Sequence, residues 1–245
     1  MSNILTIKNL SKKYHTPKEE ILAIKDISLN INEGEIIGIV GSSGCGKSTL
    51  LNILSDLDSP TSGKIIKNNL TDAYMLQSDA LLPWLDVLEN TLIGLKIQKK
   101  LTPDNISYVK DLINNFGLNN FIHAYPNNLS GGMKQRVALI RTLALKPNII
   151  YLDEPLSALD YVTRLTITDE IYNILKKMKV TTILISHDIA ECVSFCDKII
   201  VLSKRPAIVK NIYEIKLDNP SIPSKNRQDK LFNYYYDLIW SDLDK

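Results

Sequence analysis

Hydrophobic and polar positions change rhythm along the chain. Ile4–Leu10 and Ile24–Ile31 alternate apolar and polar side chains, which predicts half-buried strands. The polar stretch between them, around Pro17, predicts a loop. Glu35–Val40 is a short apolar run, the pattern of a strand buried on both faces. Asn148–Leu152, Thr181–Ser186 and Lys198–Ser203 read the same way. Helical patterns separate these runs: Ser48–Leu54, a segment capped by Ser130 and ending before Pro147, Tyr161–Lys179, and a short stretch at Asp188–Phe195. Alternating strands and helices imply an α/β domain with a largely parallel sheet. From Asp79 to Asn128 helical segments dominate. One has Thr102 as N-cap, Pro103 at its first position and Gly117 beyond its end. This region predicts a helical insertion. Residues 218–229 are polar with two prolines and predict a linker to a last aromatic helix containing Tyr234, Tyr235, Tyr236 and Trp240.

Composition narrows the class. Of 245 residues, 44% are hydrophobic and 23% charged, as in an ordinary globular protein. The formal net charge of +2 does not point to a nucleic-acid binder. The cysteines, Cys45, Cys192 and Cys196, are too few for a disulfide scaffold. The first residues lack the signal-peptide pattern, and no apolar run approaches the ~20 residues needed to span a bilayer. A cytosolic protein is expected, with any membrane association arising through a partner.

The chemistry starts at Gly41-Ser42-Ser43-Gly44-Cys45-Gly46-Lys47-Ser48, followed by Thr49. This matches G-x-x-x-x-G-K-[ST] between a predicted strand and a predicted helix. By composition alone such a match arises about once in a hundred chains of this length. Polyphosphate needs several donors converging on one small volume. Glycines let backbone N–H groups point inward, and the helix start adds partial positive charge. Lys47 would bridge the outer phosphates, and the Ser48 hydroxyl would ligate magnesium. The loop implies binding of ATP or a similar nucleotide with Mg2+. Alone it does not choose among GTPases, kinases, helicases and transport ATPases.

The strand Asn148–Leu152 leads into Asp153-Glu154-Pro155. Acids at the carboxyl end of a parallel strand belong to the ligand-binding edge of such sheets. Asp153 would hold magnesium, and Glu154 would orient or deprotonate the attacking water. His187 follows another buried strand and would stand within reach of a γ-phosphate. His15 and His123 have no such context and read as surface residues. Cys192 and Cys196 read as small buried side chains.

Leu129-Ser130-Gly131-Gly132-Met133-Lys134-Gln135-Arg136 is a second anion-binding helix start, with a serine N-cap and two glycines. One nucleotide does not need two such starts from one chain. Two chains facing head to tail would use both. Here the chain resembles the ATP-binding subunits of ABC transporters, whose signature motif is matched by Leu129–Gln135.

The resemblance covers about residues 4–210. It implies a P-loop NTPase with a RecA-like core, an antiparallel β subdomain and the helical subdomain at about 79–146. The ATPase domain would span 1–217, with a linker and helix at 218–245. It also implies that Tyr14 stacks on adenine and that Gln77 links magnesium to the helical subdomain. Ser157-Ala158-Leu159-Asp160 would join the two sites of the dimer, and His187 would be the switch histidine. Leu81–Asn90 and Lys204-Arg205-Pro206 are similar to importer ATPases of the nitrate, sulfonate and taurine type, whose relatives serve thiamine precursors. Pro83 and Trp84 become candidates for contact with a permease. The expected partners are a second ATP-binding subunit, a permease at the cytoplasmic side of the membrane and, indirectly, a solute-binding protein. The alternatives are a soluble ABC ATPase in translation or DNA maintenance, or an exporter subunit. The segment Lys64–Asp72 looks shortened and is expected to lack part of a strand hairpin.

Overall fold

The computed structural model describes residues 2–67, 70–76, 79–156 and 159–244. Strands β1 (Asn3–His15) and β2 (Glu20–Asn32) form an antiparallel hairpin longer than the alternating segments alone. The loop around Pro17 shrinks to residues 16–19. Thr16 closes it, donating its amide (3.0 Å) and hydroxyl (2.8 Å) to the Glu19 carbonyl. β3 (Ile36–Val40) is buried throughout and starts a second sheet. β4 (Ser62–Lys67) returns to the first sheet, giving the order β2-β1-β4. The segment that looked shortened therefore holds a strand paired with β1.

The second sheet has the order β5-β6-β7-β3-β8-β9. β5 (Asp72–Met75), β6 (Ile149–Asp153), β7 (Thr181–Ile185) and β8 (Lys198–Leu202) run parallel with β3. β9 (Val209–Glu214) closes one edge antiparallel to β8. Alternation along β3 separates two cores. Ile37 and Ile39 face the β1–β2 hairpin side, while Ile36 and Val40 face the opposite side.

Helix α1 (Lys47–Leu54) follows β3. The insertion leaves the sheet at β5 and returns at its neighbour β6. It holds α2 (Val87–Ile97), α3 (Pro103–Asn115) and α4 (Gly131–Leu143). Asp86 and Glu89 bond each other's backbone amides in a capping box, at 2.8 and 3.0 Å, and start α2. α4 is apolar on most sides, with Val137, Ala138, Leu139, Ile140 and Leu143 all buried, so it runs inside the molecule. Arg141 ties it to the start of the insertion, donating to the carbonyls of Ala80 (2.8 Å) and Asp79 (2.7 Å).

α5 (Tyr161–Met178) and α6 (Ile189–Phe195) follow β6 and β7. Cys192 and Cys196 are buried against β3. A Cβ on Gly38 would lie 2.9 Å from the Cys196 sulfur and 3.2 Å from that of Cys192. Among the described residues no cluster of His, Cys, Asp and Glu could hold a metal ion. The stretch expected as a linker contains α7 (Pro223–Asn226), which is packed in place. The Asn226 amide group donates to the Ser194 carbonyl at 2.7 Å, and Asp169 on α5 accepts from the Ser224 amide at 2.8 Å. α8 (Lys230–Asp244) buries Phe232 and Ile239 against the same core. Its rings stack along one side, Phe232 on Tyr236 at 6.5 Å and Tyr236 on Trp240 at 6.3 Å. No described helix is long and apolar enough to cross a membrane.

Candidate nucleotide site

The loop after β3 turns sharply at two glycines. Gly44 has φ +70° and Gly46 has φ +126°, the latter a conformation that side-chain-bearing residues rarely adopt. A Cβ on Gly46 would also lie 3.1 Å from the Ala23 carbonyl oxygen. Gly46 is the N-cap of α1 and offers no side-chain cap, so the first amides of α1 stay open toward the loop. Lys47 is buried, and its ammonium donates to the carbonyls of Gly41 (2.8 Å) and Ser42 (3.1 Å). Cys45 turns inward under the loop, against Gly41, whose added Cβ would meet its sulfur at 2.7 Å. Its thiol packs the loop from behind.

A cavity of about 500 Å³ opens above the loop, lined by Ser43, Gly44, Gly46, Lys47, Ser48, Thr49, Glu154, His187 and Arg205. The strand order explains this company. β6, β7 and β3 are neighbours, so the residues leaving their carboxyl ends converge. Asp153 ends β6 and is mostly buried. It accepts hydrogen bonds from the Tyr74 hydroxyl, at 3.2 Å, and from Ser48. Burial pushes its carboxyl above the usual range, while Tyr74, Ser48 and the charge of Lys47 pull it back. A hydroxyl and a carboxylate side by side form a hard-oxygen donor set, which fits Mg2+.

Glu154 sits at φ +46°, in the left-handed region, and its amide donates to the Ile185 carbonyl at 3.0 Å. That bend turns the carboxylate off the strand line toward His187, whose Nδ1 lies 3.3 Å from Oε2. The predicted acid and histidine are thus one contact pair at the cavity wall.

Other predicted residues lie elsewhere. Ser130 caps α4, its hydroxyl accepting from the Met133 amide at 3.3 Å. Gly132 is pressed against α5, where a Cβ would come within 2.8 Å of Ile167. Gln135 is buried, and its Oε1 has no hydrogen-bond partner among the described residues. Gly131 faces Leu159, and the next residue, Asp160, caps α5 by accepting from the Thr163 amide at 3.0 Å. None of these lines the cavity, so a single chain does not bring the serine-glycine turn to its own phosphate loop. Tyr14 also stands off the cavity. Its hydroxyl donates to Asp58 at 2.9 Å, and the Lys12 ammonium lies 4.9 Å from its ring centre. Gln77, Ser157 and Ala158 lie outside the described residues.

One cavity residue had no role assigned from the sequence. Arg205 lines the site, and its guanidinium donates to the Gly44 carbonyl at 2.9 Å. The loop carrying it is pinned to β2, with Ala207 N–H to Ala23 O and Lys25 N–H to Ala207 O both at 2.9 Å. The available signal was positional: Lys204-Arg205-Pro206 follows β8, at the same sheet edge as the other cavity residues.

A family model described as ABC transporter matches residues 24–157. A nitrate import ATP-binding protein of Synechocystis sp. is 37% identical over 93% of this chain and 88% of its own length. An aliphatic sulfonates import ATP-binding protein of Bacillus cereus is 34% identical over 91% of this chain and 90% of its own. Among solved structures, a dimeric ATP-binding cassette in a post-hydrolysis state with ADP and Pi superposes with a TM-score of 0.75. It is 33% identical and covers 87% of this chain and 99% of that one.

Proposed function

The chain belongs to the ABC transporter family as an ATP-binding, ATP-hydrolysing subunit, and from that premise we propose that it powers uptake of a small solute of the nitrate or sulfonate type. The observation that carries this is near full-length similarity to importer subunits. The subunit would sit on the cytoplasmic face of the membrane, docked on a permease that a solute-binding protein loads. Pro83 and the exposed Trp84, ahead of α2, are the proposed permease contacts. The ATPase domain would span residues 1–217, with the helical subdomain at about 79–146 and an arm at 218–245.

In the proposed cycle the phosphate loop amides and Lys47 neutralise the phosphate charge. Ser48 and Asp153, with Gln77, would hold Mg2+, which screens the β- and γ-phosphate oxygens when bound. Glu154 takes a proton from the attacking water, and His187 orients that carboxylate beside the γ-phosphate. Tyr14 would stack on adenine, which requires its ring to shed the Lys12 ammonium on one face. Ser130, Gly131, Gly132, Gln135 and Asp160 act on the nucleotide held by the other subunit.

The test is reconstitution of the tagged chain with its permease in lipid vesicles. ATP hydrolysis stimulated by binding protein loaded with nitrate or an alkanesulfonate is the expected result. Recovery from cells only with ribosomes or DNA would overturn the transport reading.

Arg205 supplies a narrower expectation. Replacing it by alanine removes both a cation facing the phosphates and the brace on Gly44. The KM for ATP should rise about 10–100-fold, in line with loss of a charge-assisted hydrogen bond. Arg205→Lys, a point charge that cannot brace and reach at once, should fall between. An unchanged KM in steady-state ATPase assays would remove Arg205 from the nucleotide site.

A further inference from the structure

Ser186 and Asp188 flank His187, and both bond Glu191: Ser186 its buried carboxyl, Asp188 its backbone amide. Glu191, on α6, accepts a hydrogen bond from the Ser186 hydroxyl. The same hydroxyl oxygen accepts from the Asp188 amide at 3.0 Å, and Asp188 accepts from the Glu191 amide at 3.1 Å. These bonds close a ring around the backbone of His187. The catalytic cycle as described gives Glu191 no part.

Two cations from distant parts of the chain act on this carboxyl. Arg164, on α5, donates to the Leu159 carbonyl at 2.9 Å, and its other nitrogen lies 4.0 Å from Asp188. Arg227 comes from the turn that follows α7. The Nε atoms of both arginines are buried without a hydrogen-bond partner among the described residues. Burial pushes the Glu191 carboxyl up, and its bond to Ser186 and the two guanidiniums oppose that.

We propose that Glu191 is a positioning residue for His187, and that Arg164, bonded to the Leu159 carbonyl and 4.0 Å from Asp188, couples the His187 loop to the Leu159–Asp160 loop. The proposal rests on the placement of His187 beside the γ-phosphate. Its physical basis is cost. Removing the carboxyl leaves the buried Ser186 hydroxyl without its acceptor. The loop relaxes to satisfy it, and His187 leaves its place beside Glu154. A displacement of about 1 Å at a reacting centre costs on the order of 10²-fold in rate.

The experiment measures steady-state ATPase activity of the full-length chain carrying Glu191→Ala, Glu191→Gln, His187→Ala or Glu191→Ala with His187→Ala. Glu191→Ala is expected to lower kcat about 10–100-fold, with the KM for ATP within about threefold of native. Glu191→Gln keeps an oxygen acceptor for Ser186 and should recover most of that loss. In the His187→Ala background Glu191→Ala should cost nothing further, because residues acting as a unit are not additive. Should Glu191→Ala not fold, Ser186→Ala carries the same expectation for kcat and for the absent further loss. A native kcat for Glu191→Ala, or a full additional loss on top of His187→Ala, would overturn the proposal. So would equal losses in Glu191→Ala and Glu191→Gln that follow their melting temperatures. If His187→Ala itself turns over at the native rate, the placement of His187 fails first. An inactive His187→Ala beside a native Glu191→Ala removes only the coupling.

Discussion

Glu154→Gln should bind ATP with near-native affinity and hydrolyse it about 10²–10⁴-fold more slowly, the range lost with a general base. The substitution is nearly isosteric. The amide of residue 154 still donates to the Ile185 carbonyl, so the left-handed turn that aims the side chain persists. What disappears is the capacity to take a proton. Asp153 and Ser48 remain bonded to each other, and Lys47 remains in the loop. Binding and turnover therefore separate. In the proposed head-to-tail dimer, closed around ATP and reopened by hydrolysis, the variant with ATP should also elute at twice the monomer mass on size exclusion, and the native protein should not persist there. Native-rate hydrolysis by Glu154→Gln would remove Glu154 as the base.

Two inactive variants should restore activity when mixed. Lys47→Ala disables the phosphate loop, and Ser130→Arg disables the serine-glycine turn. These features do not share a cavity within one chain, so in the proposed dimer each composite site takes one from each subunit. A dimer of two Lys47→Ala chains has no intact site, nor has a dimer of two Ser130→Arg chains. The mixed dimer has one site built from Lys47 of one chain and Ser130 of the other. Random assembly at equal amounts makes about half the dimers mixed, each with one of two sites, so about a quarter of native activity should return. Ser130→Arg also loses a helix cap worth ~1 kcal/mol, so its folded fraction is checked by melting. If cross-linking shows mixed dimers and no activity returns, two independent composite sites are excluded.

The parts of this molecule that were legible in its sequence are those fixed by local pattern. Apolar runs marked β3, β6, β7 and β8, and Thr102 with Pro103 marked α3. β5 and β9 escaped because they are four and six residues long and only partly buried. Their pairing partners, not their composition, make them strands. The two prolines near residue 220 suggested a linker. Pro223 instead occupies the first turn of α7, and Ser224 and Asn226 bond Asp169 and Ser194, 55 and 32 residues away. At the site, the phosphate loop and the acids after β6 were legible because their spacing is the chemistry. Arg205 was not, since only the pinning of its loop to β2 brings it over Gly44. Arg164 links Leu159 and Asp188 across separated segments, and no local pattern could announce it.

The insertion leaves the sheet at β5 and re-enters at β6, which are adjacent strands. Because β5 and β6 run parallel, the chain leaves at the carboxyl end of β5 and re-enters at the amino end of β6, so the two attachment points are roughly 15 Å apart along the strand direction. Asn148 fixes the re-entry point, donating its amide to the carbonyl of Thr71, just before β5, at 2.8 Å. A body anchored at the two ends of one strand pair resembles a door on two hinges set along one post. Small torsions near residues 76 and 148 would become a swing of many ångströms at its far edge, while the sheet that holds the phosphate loop stays still. The same lever works backward: a push from the membrane on that edge would be geared down to sub-ångström adjustments beside Asp153 and Glu154.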